Sequence, residues 1–347
     1  MVALSTVTAS NERIASTFPH GLVAVFVGGT SGVGEYTVKT LARYAVMPKV
    51  YIIGRSQEAA DRIVNECKQL NPDGTFQFIK ADVSLLKNVD DVCRQLKSKE
   101  TKINILFESQ GSMGFAKKTS EGLPLAASLV MHSRLRFILN LLPLLQNADN
   151  LRRVVSVQAA TFEGPIDVNN IMAQGFSLHK TRDQVASVQT LLLEAAARRA
   201  PSVSFVHTVP GIVKGGISRD AEGLAMYILI GISRVLLEPL LQTPPAECGE
   251  RHVYAATSAM YPPGYGDGAT TTAAAGGVAL DRALVSTARG SNGQTGSGVY
   301  SVAQNLESAS SRVEQLLAGF RKDGTAEKVW DFIMEDFKRI TETETVV

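Results

Sequence analysis

The residues best suited to chemistry lie in one short stretch, VFVGGTSGVG at positions 25–34, where an apolar run breaks into glycines at 28, 32 and 34. In a GxxxGxG loop directly after a strand, the first glycine permits a tight turn and the second lets backbone come close to a pyrophosphate. The third lets strand and following helix pack tightly. Roughly 20 residues further on, where such a fold reads the ribose of a dinucleotide, a second apolar run, KVYII, ends in Gly54, Arg55 and Ser56. An acidic side chain there would accept bonds from a ribose 2′-hydroxyl, whereas a guanidinium and a hydroxyl suit a 2′-phosphate. These residue types in this order imply a dinucleotide site that prefers NADP(H) to NAD(H).

Such a loop works only if a strand and a helix hold it, and the first two hundred residues alternate between short apolar runs and longer helical patterns. Strands are expected at Leu22–Val27, Lys49–Ile53, Phe76–Ile79, Ile103–Phe107, Arg153–Val157 and Val203–His207. Helices are expected at about Val33–Tyr44, Glu58–Leu70, Leu85–Leu96, Leu129–Leu145 and Gln184–Arg199. This rhythm implies an α/β fold of Rossmann type, a doubly wound parallel sheet that binds its ligand at the carboxyl ends of the strands. After Pro210 the pattern changes. Residues 212–298 read as a substrate or lid segment, with the apolar run Leu224–Leu241 and the Gly- and Pro-rich YPPGYGDGATTTAAAGG, before VYSV, an edge or final strand. The domain organisation is therefore an N-terminal extension over 1–20, a dinucleotide-binding domain over 21–304 and a C-terminal helical extension over 305–347.

Composition narrows the function. With 35 Lys and Arg against 33 Asp and Glu, the chain has no basic field of the kind that holds nucleic acid. Three cysteines, Cys67, Cys93 and Cys248, have neither metal-ligand spacing nor an even count, so no disulfide framework or metal site is expected and a reducing, cytoplasmic setting fits. Leu224–Leu241 is interrupted by Arg234, Glu238 and Pro239, too soon for a transmembrane span. Residues 1–20 lack the apolar core of a secretory signal.

The GGTSGVG loop, the GRS turn, the pair Asp82 and Val83, and Pro210 with Gly211 after the sixth strand together resemble the short-chain dehydrogenase/reductase family over about residues 20–215. More narrowly, HSRLRFILNLLPLL, VSFVHTVPGIVK and RKDGTAEKVWDFI resemble a divergent fungal group placed in secondary-metabolite pathways, terpenoid or polyketide. The resemblance implies that Gly28, Ser31, Gly32, Val33 and Gly34 hold the pyrophosphate, that Arg55 and Ser56 read the 2′-phosphate, and that Asp82 and Val83 flank the adenine. Gly111, Pro210 and Gly211 complete the cofactor-binding set. It also implies a homodimer seam built from Leu129–Leu145 and Gln184–Arg199.

The family's proton-transfer set of Asn, Ser, Tyr and Lys does not appear. No tyrosine lies between Tyr51 and Tyr227, the strand-end serines are replaced by Gln158 and Ala159, and Val130 stands at the asparagine's place with His132 close by. With one inserted residue allowed near Pro201, the positions that align with the tyrosine and lysine are His179 and Asp183; an ungapped count gives Lys180 and Gln184. Hydride transfer is the cofactor's own chemistry, while a histidine can supply the proton. His179 with Asp183, and after them His132, are therefore the catalytic candidates. The expected function is an NADP(H)-dependent oxidoreductase acting on a carbonyl or secondary alcohol of a small hydrophobic metabolite. A non-redox isomerase, cyclase or dehydratase on the same fold, and a dinucleotide-binding protein without turnover, are the alternatives.

Overall fold

The computed structural model describes residues 1–221, 231, 242–264 and 276–345. The apolar segment Leu224–Leu241, Gly231 apart, and most of the Gly- and Pro-rich run lie outside the described residues. Seven strands, β1 (Val23–Val27), β2 (Lys49–Gly54), β3 (Thr75–Lys80), β4 (Ile105–Glu108), β5 (Arg153–Val157), β6 (Ser204–Thr208) and β7 (Val299–Val302), form one sheet in the order β3-β2-β1-β4-β5-β6-β7. All six pairings are parallel. The central strands are buried along their whole length, which explains why VAVFV and RVVSV read as continuous apolar runs without alternation. Every expected strand is present within two residues of its expected bounds, and VYSV is the seventh.

Helices cover both faces. On one side α3 (Gly32–Tyr44) and α4 (Gln57–Leu70) pack with α9 (Pro245–Thr257) and the N-terminal α1 (Leu4–Glu12) and α2 (Ile14–Thr17). On the other lie α5 (Leu86–Lys99), α7 (Ser133–Gln146), α8 (Leu178–Arg199) and the C-terminal α11 (Thr325–Thr341), with α10 (Ser311–Lys322) beside them. A short α6 (Leu125–Ala127) leads through a π turn, Ser128–His132, into α7. The combined Leu125–Gln146 helix is apolar enough to cross a membrane but is almost wholly buried inside the fold, as a core helix should be.

Helices α1 and α9 escape a sequence reading for one physical reason. Cys248–Thr257 are all buried, and the polar members spend their groups internally: Asn11 donates to the Glu250 carbonyl and carboxylate, and Arg251 donates to the Val2 carbonyl. Helix α9, covered on every side over Cys248–Thr257, shows no amphipathic stripe, and α1 buries two polar residues, Ser10 and Asn11, beside Val7. Residues 1–20, expected as an extension, thus join the core through Val2, Val7, Ile14 and Phe18. The C-terminal helix has a comparable effect. Val329, Ile333, Met334, Phe337 and Ile340 enter the same apolar cluster as α7 and α8. Arg199 stacks on Trp330 at 3.8 Å, and the Arg136 guanidinium lies 5.1 Å from the Phe337 ring centre. Helix α11 thus packs against α7 and α8 of the same chain.

Candidate dinucleotide site

The glycine loop bridges β1 and α3 beside β4, where the strand order reverses and a doubly wound sheet opens a crevice. Gly28 has φ +81°, and a Cβ on it would lie 2.7 Å from the Gln110 amide nitrogen in the loop after β4. A Cβ on Gly34 would lie 2.5 Å from the Gly28 carbonyl oxygen and 2.6 Å from Ser109 Oγ. Gly32 has φ +56°, in the left-handed region that favours glycine. The loop is a cradle with no room for side chains at the head of a 13-residue helix, and its dipole favours an anion there. Ser31, the N-cap of α3, makes no side-chain capping bond, and Val33 is half-buried.

Arg55 follows β2 directly and its side chain is half exposed, at 53%. Its neighbour Ser56 is spent on local structure, since its hydroxyl accepts from the Ala59 amide and caps α4. After β3, the Asp82 carboxylate accepts from the Ser84 amide and the Asp82 carbonyl accepts from Asn88 Nδ2; the Val83 side chain is buried in the apolar cluster under α5. Gly111 faces Val130 of the π turn, with 3.8 Å between its would-be Cβ and Val130 Cγ1. The Pro210 carbonyl accepts from Thr243, and Gly211, at φ +72°, is pressed against Gln304. These groups fit a phosphate-bearing dinucleotide by two observations: the cradle that a Cβ would fill, and a half-exposed guanidinium at the end of β2.

The catalytic candidates separate. His179 stands in the first turn of α8, 76% exposed, with Nε2 3.1 Å from Asp183 Oδ2 and Nδ1 2.9 Å from the Arg182 guanidinium. Asp183 packs on Gly164, and Arg182 stacks on Phe162 at 4.1 Å, so the trio sits on the loop that follows β5. His132 is a correction. Its ring is wholly buried, with Nε2 2.9 Å from Asp336 Oδ2 of α11 and Nδ1 3.4 Å from the Ala127 carbonyl, and that burial keeps it from a substrate. It ties the π turn to the C-terminal helix.

Sequence reasoning missed a buried polar row. Register aligns Glu108, Ser156, His207 and Ser301 across β4, β5, β6 and β7. Arg134 of α7, itself buried, donates to Ser156 Oγ at 2.7 Å and to the Gln110 carbonyl at 2.6 Å, and so pins the loop that carries Gly111. Neither Glu108 oxygen has a hydrogen-bond partner among the described residues. Burial pushes the Glu108 carboxyl well up, with the Arg134 charge pulling the other way. His207 is fully buried and pushed down to about 3 by that burial and by Arg134, so it is neutral. Its Nδ1 lies 2.9 Å from Thr190 Oγ1, which donates to Glu163, and its Nε2 accepts from the Ala159 amide. Only the pairing of strands brings these residues together.

Sheet order and glycine cradle define a dinucleotide-binding α/β protein. Residues 22–128 match the short chain dehydrogenase family. An oxidoreductase of Emericella nidulans is 37% identical over 337 residues, 95% of this chain and 96% of its own length. Oxidoreductase andH of Emericella variicolor is 35% identical over 98% of both chains. Among solved structures, YwfH, described as an NADPH dependent reductase involved in bacilysin biosynthesis, aligns with a TM-score of 0.53 at 10% identity, covering 69% of this chain and 92% of its own. The Pseudomonas aeruginosa RhlG/NADP complex aligns at 0.51 and 19%, covering 70% and 93%. The chain belongs to the short-chain dehydrogenase/reductase family, and these solved structures share its fold.

Proposed function

We propose that the protein is an NADP(H)-dependent oxidoreductase that reduces a carbonyl, or oxidises a secondary alcohol, on a small hydrophobic metabolite of a fungal secondary pathway. The observation that carries this reading is the closed glycine cradle at Gly28 and Gly34 with Arg55 at the end of β2. The names of the two full-length fungal relatives, both oxidoreductases, support it. The bound nicotinamide would supply the hydride. The Gly28–Gly34 backbone and the α3 amides would hold the pyrophosphate, and Arg55 would pair with the 2′-phosphate. Replacing Arg55 by Asp is expected to weaken NADPH binding by more than ~tenfold, the loss of one charge-assisted pair, with no weakening of NADH, as read by fluorescence titration. Equal loss of both would remove the 2′-phosphate assignment.

Proton transfer falls to His179 in this reading. Helix α8 follows β5, so its first turn lies at the carboxyl edge of the sheet, whereas His20 precedes β1 at the amino edge. His132, His207 and His252 are buried. Asp183 orients the His179 ring through Nε2, a substrate would replace Arg182 at Nδ1, and a positioned histidine contributes roughly 10²–10⁴ to a proton-transfer step. His179→Ala is expected to lower kcat by about that factor with NADPH affinity unchanged; wild-type turnover in that variant would reassign the proton donor.

A further inference from the structure

The residues assigned to the dinucleotide are touched by a segment of the chain itself. Beyond Gly211 the backbone crosses the site from one end to the other within seven residues. The Lys214 carbonyl accepts from Tyr36 Oη at 2.9 Å, in the second turn of α3. The Gly215 Cα lies 3.0 Å from where a Cβ on Gly32 would stand, so backbone rests on the cradle at the place assigned to pyrophosphate. The Ile217 carbonyl accepts from the Met113 amide, and the Ile217 side chain, 56% exposed, lies over Gly111. Asp220 then turns its carboxylate to Arg55 at 3.6 Å and to Lys117 at 4.0 Å, and accepts from Ser112 Oγ at 3.1 Å.

An anion held by Arg55 stands where the 2′-phosphate is assigned, and the backbone leading to it lies over Gly111 and Gly32. We propose that residues 214–220 form a strap that occupies the dinucleotide cleft and is latched by Asp220 on Arg55, so that a dinucleotide enters only after the strap leaves. The proposal rests on the dinucleotide reading above. Its apparent affinity is then the intrinsic affinity reduced by the fraction of molecules with the strap open. The latch is built to release: the Arg55 side chain is half exposed, and an ion pair of that kind contributes modestly.

The test is Asp220→Ala in the full chain, with two readouts. Loss of the latch opens the strap for either dinucleotide, so NADPH and NADH should both tighten by the same factor, about two- to fivefold. Tryptic cleavage after Lys214 and Arg219 should accelerate by a similar factor in the protein alone. In Arg55→Ala, NADH should tighten by that factor while NADPH, having lost its phosphate partner, should not. Tightening of NADPH alone in Asp220→Ala would overturn the strap, because it would make Asp220 a simple repulsive neighbour of the phosphate. Unchanged affinities and unchanged cleavage would overturn it too. Accelerated cleavage with no dinucleotide binding in either protein would uphold the latch and refute the dinucleotide reading instead.

Discussion

At the scale of single residues, what can be read locally and what cannot divide cleanly. Gly28, Gly32 and Gly34 are legible because backbone angle and the space for a Cβ are local demands, and only glycine meets them at φ +81° and +56°. Arg55 is legible from its distance to the loop. Asp220 is not, since its partner lies 165 positions away, and Glu108 is not, since the strand sequence ILFE gives no sign that Ser156 and His207 share its row. Glu108 makes a sharp prediction. A carboxyl whose folded pKa is raised keeps a proton that the unfolded chain gives up, so its contribution falls as pH rises from the unfolded value of about 4.3 towards the folded one. Glu108→Gln keeps the shape of the protonated acid. Its stability near pH 4 should stay within ~1 kcal/mol of wild type, and as pH rises, where wild type declines, the variant should keep its stability and become the more stable of the two. A loss of about 3–5 kcal/mol in urea unfolding would mean that Glu108 is ionised and serves as the counter-ion of Arg134.

Among the elements, the strands follow the sequence closely because they are buried on both faces, and α3, α4 and α5 because each buries one; α8 starts at Leu178, six residues before its expected start. The exceptions are α1 and α9, which bury polar groups against each other, and the turn at Ser128–His132, where a π turn interrupts a helix whose apolar pattern runs on unbroken. His132 looked like a cleft residue from its place in the chain, and its true partner, Asp336, arrives from α11. Burial works against the Asp336 charge but is outweighed by hydrogen bonds from His132 and Arg339, leaving its carboxyl below the ordinary range. Its contribution is therefore present above the unfolded carboxylate value of about 3.9 and is lost as pH falls through the folded one. Asp336→Asn should cost roughly 1.5–3 kcal/mol at pH 7, and that difference should shrink as wild type is acidified below about pH 4. A cost independent of pH would show that packing, and not charge, ties α11 to the π turn.

Over the whole molecule, a seven-stranded sheet supplies the crevice, its two end segments complete the helical layers, and the glycine loop stands where that crevice opens. The central claim is that this cradle takes a 2′-phosphorylated dinucleotide. Titrating the purified full chain with NADPH, and separately with NADH, while following nicotinamide fluorescence tests it most directly. The account predicts saturable binding of one NADPH per chain with NADH at least ~tenfold weaker, the difference expected for one charged pair. Binding of neither would contradict it and leave the glycine loop as structure without a ligand.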